Sequence, residues 1–332
     1  MTPGMTENTP GGVRLPRPPY DPELVAGLAA MRNAVPPLGA ETLEQIRELT
    51  LKAVPGTEPV DLTVGGRVRV DEMTAATPDA ELPMVVLSPA QGQGPWPLIY
   101  FIHGGAMVAG GRHLGLGDFL SHVADGQAVV ASIEYRLAPE HPDPVPVTDC
   151  FNGLAWCIEN TGALRFDPSH VIVAGTSAGG GLAAGVALMA RDQGAPRVTH
   201  QVLVCPMLDD RYETHSSVML DDDGSWDRIG SLYGWTALLG DRRGTEDVSC
   251  YAAPARASDM SRLPRAFIDV GSAEGFRDEV LDYATRLSLA GVSVDLHMWA
   301  GGFHGYENIS TAAISQASLS TREEFIRRAL KH

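Results

Sequence analysis

Apolar positions along the chain recur with two periods. Short runs rich in β-branched and aromatic residues at 66–71, 83–88, 97–102, 128–133, 170–174, 199–204, 265–270 and 292–298 predict strands. Helical spacing marks 22–33, through Leu24, Leu28 and Met31, and 41–53, through Leu43, Ile46 and Leu49. Further helical stretches lie between the later strands, at 146–160, 177–191, 275–290 and 309–330. Early strands without helices, then βα alternation, predict an α/β fold: a mostly parallel eight-stranded sheet with helices on both faces.

One connection is too long. The strands at 199–204 and 265–270 are separated by about sixty residues, whereas a crossover needs only ~10–12. Trp226–Leu239 within it has helical spacing and carries Trp226, Tyr233 and Trp235. The surplus predicts a helical cap element over about 207–245; an ordinary surface helix is the alternative. Residues 1–20 hold Pro, Gly and Thr without periodicity and are expected to be flexible. The expected organisation is 21–55 as N-terminal cap helices and 56–332 as the main domain, with no internal repeat.

Composition narrows the class. A chain of 332 residues, 44% hydrophobic, can fill one large α/β core. A formal charge of −16 argues against nucleic acid and anionic membrane surfaces as partners. The acid runs Asp209-Asp210 and Asp221-Asp222-Asp223 are expected on solvated loops. Cys150, Cys157, Cys205 and Cys250 form no CxxC and no metal-ligand spacing, so reduced buried thiols are expected and no metal. The N-terminus lacks a secretory pattern and no apolar run approaches the ~20 residues of a membrane span. The expectation is a soluble, cytoplasmic protein.

The chemistry is concentrated in a few short motifs. Val171-Ile172-Val173-Ala174 runs into Gly175-Thr176-Ser177-Ala178-Gly179 and then an alanine-rich helix. Strand, sharp turn and helix in that order suit a nucleophile elbow, with Ser177 exposed at the turn and the Ala178 N–H at a helix start. Upstream, the strand Trp96–Ile102 feeds His103-Gly104-Gly105-Ala106, a turn able to aim backbone N–H groups at one point.

Together with Tyr135-Arg136-Leu137-Ala138-Pro139-Glu140-His141-Pro142, these motifs resemble the bacterial hormone-sensitive-lipase-like esterases of the α/β-hydrolase fold, in the Gly-Thr-Ser-Ala-Gly branch. The resemblance runs from about residue 40 to the C-terminus. One departure is Ala106, where the family usually has a third glycine. In this fold the order is serine, acid, histidine, with the base in a loop after the last strand. Gly301-Gly302-Phe303-His304-Gly305 fits, making His304 the expected base. The family commonly carries Asp before Pro-Leu-Arg-Asp-Glu; the matching residue here is Glu274, before Gly-Phe-Arg-Asp-Glu. Asp269 stands too early in its strand, and Asp278 suits a helix cap or salt bridge.

The resemblance implies carboxylic ester hydrolysis through an acyl-serine, with no cofactor. Ser177 would attack, His304 would move the proton, and Glu274 would orient it. Gly104 would shape the turn, while the N–H groups of Gly105, Ala106 and Ala178 would hold the oxyanion. Short-to-medium acyl esters are the expected small-molecule substrates. Met107, Phe276 and Phe303 flank the motifs as candidate pocket residues, with core packing as the alternative. The Ala106 methyl is expected to disfavour positive φ and to crowd the pocket against tertiary-alcohol esters. The resemblance also implies a homodimer. Two other readings stand beside this one: a catalytically weak relative acting as a small-ligand receptor, and an amide or lactone hydrolase using the same residues.

Overall fold

The central strand sequences are apolar on both sides because both faces of the sheet are covered there. The computed structural model describes residues 16–51, 60–220 and 223–331. Its strands are β1 (Val68–Ala76), β2 (Glu81–Pro89), β3 (Trp96–Ile102), β4 (Val129–Ile133), β5 (Phe166–Thr176), β6 (His200–Val204), β7 (Arg265–Gly271) and β8 (Val294–Trp299). They form one sheet in the order β1-β2-β4-β3-β5-β6-β7-β8. The β1/β2 and β2/β4 pairs are antiparallel, and every pair from β4/β3 to β7/β8 is parallel.

Alternation along β3 shows the two cores. Leu98, Tyr100 and Ile102 enter one apolar cluster, Ile99 and Phe101 the other. Val171 and Val173 of β5 join the first, Ile172 and Ala174 the second. The helices are α1 (Val25–Ala34), α2 (Leu43–Leu51), α3 (Leu120–Ala124), α4 (Val145–Glu159), α5 (Thr161–Leu164), α6 (Ala178–Gln193), α7 (His215–Met219), α8 (Arg228–Leu239), α9 (Arg277–Leu289) and α10 (Ala313–Ala329). The short α3 and α5 carry too few residues to show a period, and the sequence pattern missed them. None of the helices among the described residues is long and apolar enough to cross a membrane.

Several expectations change. The alternation of β8 marks a strand, yet Leu296 and Met298 are 38% and 52% exposed: β8 is the sheet edge, so that row faces outward. Asp210 is not on a solvated loop. It is fully buried and receives Arg256 Nε at 2.6 Å, Arg256 Nη2 at 3.0 Å and the Gly244 N–H at 2.7 Å. Asp209 is buried beside it and paired with Arg211. A charge can be buried when matched donors replace water, and composition does not reveal such partners. Asp223 accepts from Arg17 and Tyr20, while Asp221 and Asp222 lie outside the described residues.

The stretch 1–20 divides similarly. Residues 1–15 lie outside the described ones, but 16–20 are tied down: Tyr20 meets the Phe303 ring edge-on at 5.9 Å. Of the cysteines, Cys150, Cys157 and Cys205 are buried and Cys250 is half-buried; all four are free thiols.

Candidate active site

Between Thr176, the last residue of β5, and Ala178, the first of α6, Ser177 alone makes the turn, at φ 59° and ψ −124°. A non-glycine residue holds such a conformation only when its surroundings fix it. Here the Ser177 N–H donates to the Val204 carbonyl at 2.8 Å, and the Met207 N–H donates to the Ser177 carbonyl at 3.0 Å. Gly179 is required by close approach: a side chain there would run into the carbonyls of Ile102 and His103.

Glu274 and His304 come from the loops after β7 and β8, two and three strands along the sheet from β5 and parallel to it. Ser177 Oγ lies 3.0 Å from His304 Nε2, and His304 Nδ1 lies 2.7 Å from Glu274 Oε1. The other Glu274 oxygen receives the Gly271 N–H at 3.2 Å. A Nδ1–H donated to the carboxylate leaves Nε2 free to accept the serine proton. Burial pushes the His304 pKa down, but the Glu274 charge, their hydrogen bond and the Glu307 charge together leave it raised. Asp269 is committed elsewhere, to Arg322 Nη2 at 3.2 Å, and Asp278 accepts from the Ser216 N–H at 2.8 Å and Arg277 Nε at 2.7 Å. Cys205, Glu274 and His304 present ligand-type atoms within 4.8 Å of one another. Two of those groups are already hydrogen-bonded to each other.

The loop after β3 lies against this row. A Cβ on Gly104 would stand 2.9 Å from the Thr176 carbonyl oxygen and 3.4 Å from Ser177 Cβ. Gly105, Ala106 and Met107 follow with φ of 118°, 55° and 60°. Ala106 thus takes the left-handed conformation its methyl disfavours. That methyl faces α8, close to Gly234. The N–H groups of Gly105, Ala106 and Ala178 donate to no acceptor among the described residues. Unpaired donors near a serine form a ready site for developing negative charge.

His103 is buried, and burial lowers its pKa to about 4, so it adds no charge. Its ring stacks on Tyr135 at 4.3 Å and 13°, and the Tyr135 hydroxyl donates to the His103 carbonyl at 3.1 Å. The Ala138 N–H donates to the Met107 carbonyl at 2.9 Å. The Tyr135–Pro142 motif therefore braces the loop.

The flanking residues separate. Phe276 meets the His304 ring edge-on at 5.2 Å and 87°. Met107 is buried in the main apolar cluster. Phe303 points away, into a separate cluster with Leu24, Leu28 and Tyr306, so packing explains it. Sequence reasoning missed Ser225 and Trp226 as neighbours of the histidine. Ser225 Oγ donates to the His304 carbonyl, and the Trp226 ring lies 6.0 Å from the imidazole. It also missed Arg47, whose Nε donates to the Val108 carbonyl at 2.8 Å. An arginine on a half-exposed helix carries no sequence sign of such a contact.

Comparison with known proteins places the chain in a family. A family profile described as the alpha/beta hydrolase fold matches residues 99–308, more than half of the chain. The chain is 33% identical over 262 residues to the carboxylesterase NlhH of Mycobacterium tuberculosis, covering 77% of this chain and 81% of that protein. It is 31% identical over 276 residues to an arylesterase of Saccharolobus solfataricus, covering 80% and 83%. A solved structure named as a bacterial heroin esterase superposes with a TM-score of 0.86 at 36% identity, covering 94% of this chain and 98% of that one. The chain belongs to the hormone-sensitive-lipase-like family of α/β-hydrolases.

Proposed function

We propose that the protein is a carboxylesterase in which Ser177, His304 and Glu274 act as nucleophile, base and orienting acid. The observation that carries this is the unbroken hydrogen-bonded row from Ser177 Oγ through His304 to Glu274, with contacts of 3.0 and 2.7 Å. Ser177 Oγ attacks the ester carbonyl while His304 Nε2 takes its proton. The N–H groups of Gly105, Ala106 and Ala178 receive the negative charge on the former carbonyl oxygen. The imidazolium then protonates the departing alcohol. Water, deprotonated by His304, frees the acid and restores Ser177.

Of the segments 21–55 and 207–245, residues 52–55 and 221–222 lie outside the described ones; the remainder is read as a cap over this row, on the contacts of Arg47 with the Val108 carbonyl, of Ser225 and Trp226 with His304 and of Gly234 with Ala106. A capped, largely apolar site favours short-to-medium acyl chains. A panel of nitrophenyl esters of increasing acyl length tests this: rates should peak in the short-to-medium range and fall for long chains. Absence of hydrolysis across the panel sinks the enzymatic reading and favours a receptor, although a receptor has no need of an aligned serine–histidine pair. Matching amides and lactones in the same assay separate the other acyl substrates.

A homodimer through β8 is part of the proposal. Leu296 and Met298 are exposed on β8, the edge strand among the described residues, and Leu289 is exposed at the end of α9, apolar surface that a second chain can cover. Light scattering should give twice the monomer mass, and Met298→Lys should return the monomer. A wild-type monomer at micromolar concentration counts against it.

A further inference from the structure

The loop bearing the proposed oxyanion donors is strained and has few internal ties. Three successive residues take positive φ, and its own backbone supplies the Val108 and Ala109 N–H bonds to the Gly105 carbonyl. A conformation of this kind persists only if neighbouring structure fixes it. Two proposed cap elements do so, from different directions.

From α2, Arg47 reaches the loop and its neighbours, besides its own-helix partner Glu44. Nε reaches the Val108 carbonyl at 2.8 Å, Nη2 the Ala138 carbonyl at 3.0 Å, and the two terminal nitrogens reach the Glu140 carboxylate at 2.8 and 2.7 Å. The planar guanidinium is pre-shaped for this fork, and an ammonium is not. One turn on, Thr50 Oγ1 receives the Gly110 N–H at 3.1 Å. From α8, the backbone at Gly234 sits directly on Ala106. A Cβ at 234 would stand 2.9 Å from Ala106 Cβ and 3.1 Å from its carbonyl oxygen. The missing side chain at 234 leaves room for the methyl at 106.

We infer that Arg47 and Gly234 are positioning residues through which the cap holds the oxyanion donors in register, so that a cap moved off the site releases the loop and stops turnover. The inference rests on the oxyanion reading of Gly105, Ala106 and Ala178. It differs from a substrate-binding role for the cap, because it places the effect on the transition state.

The test is a set of variants assayed on a nitrophenyl ester, with melting temperature read beside activity. Displacing donors by a fraction of an ångström to an ångström costs about tenfold to hundredfold in rate. Gly234→Ala should therefore lower kcat about tenfold to hundredfold with KM within about threefold. Ala106→Gly is assayed alone, as the reference against which the double variant is read. Combined with Gly234→Ala, it should recover at least several-fold of the lost rate, because the methyl–methyl clash is gone. Arg47→Met should lower kcat in the same way, and Arg47→Lys should not restore it. Affinity for an arylboronic acid, which forms a tetrahedral adduct on serine, should fall in step with kcat/KM. Affinity for an unreactive amide analogue should stay constant. Unchanged kcat in Gly234→Ala and Arg47→Met, a double variant as slow as Gly234→Ala, or losses that only follow the unfolded fraction would each overturn the inference. The oxyanion reading is judged separately by a crystal structure of the wild-type boronate adduct. There it fails if no adduct oxygen meets the N–H groups of Gly105, Ala106 and Ala178.

Discussion

Ser177→Ala lowers kcat for nitrophenyl esters by about 10⁶-fold, the scale on which removal of a serine nucleophile acts in other serine hydrolases. The size of the loss follows from the arrangement. With Oγ gone, His304 Nε2 has no hydroxyl to deprotonate, and the acyl-enzyme route is closed. What remains is substrate placement and the donors of the oxyanion loop, which act on water alone and give a small residual rate. The fold should survive, because both Ser177 backbone bonds, to Val204 and Met207, are kept and alanine tolerates the turn about as well as serine. Circular dichroism and the melting curve check this. A fluorophosphonate probe should label the wild type at Ser177 and leave the variant untouched. Labelling at another serine, or retention of more than about a thousandth of kcat, contradicts the assignment.

The candidate site is legible in the sequence where local backbone demands mark its residues. Ser177 stands out because a strand that must turn sharply into a helix needs small residues beside it, and Gly175 and Gly179 supply them. The loop at 103–106 is marked the same way, by glycines at a strand end. Glu274 and His304 are less local, and strand order together with family resemblance locates them. Arg47, Trp226 and Gly234 carry no such mark. Each matters through a partner far along the chain: Val108 for Arg47, His304 for Trp226, Ala106 for Gly234. A glycine in the middle of α8 reads as a weak helix position, and only its neighbour gives it meaning.

The same distinction explains the errors in the fold. The parallel strands were legible because burial on both faces makes them continuous apolar runs. Alternation in β8 marks a strand with two faces without saying which one is covered, so the exposure of Leu296 and Met298 is visible only in the fold. Asp210 was misplaced because burial of a charge depends on Arg256, 46 residues on. For Phe303 the sequence leaves pocket lining and core packing both open, because successive loop residues can point opposite ways; its ring joins the cluster around Leu24, the packing alternative.

Glu274→Gln should lower kcat about 10⁴-fold, the cost of replacing the orienting carboxylate by an amide in other serine hydrolases. Two effects combine. The amide can present its N–H₂ to Nδ1 and so favour the tautomer in which Nε2 carries the proton and cannot accept one. It also lacks the charge that stabilises the imidazolium formed as Ser177 attacks. The pH profile separates Glu274 from a merely structural acid. In the wild type, burial lowers the His304 pKa, but Glu274 and Glu307 outweigh it and leave the value raised. Activity needs neutral His304, so the acid limb of kcat/KM should lie above the ordinary histidine range, with activity lost as pH falls through it. Removing the Glu274 charge removes the largest upward contribution, so the limb should move to lower pH in Glu274→Gln even as the plateau collapses. Asp278→Asn should leave the limb in place, because Asp278 is bonded to Ser216 and Arg277 and not to the imidazole. A limb that stays put in Glu274→Gln, or moves in Asp278→Asn, would reassign the orienting acid. Glu274→Asp sets the reach required: its carboxylate is one methylene shorter, so it keeps the charge but loosens the 2.7 Å contact. Its activity should fall between wild type and Glu274→Gln, with the limb nearer the wild-type position, since the charge sets the pKa and the reach sets the geometry.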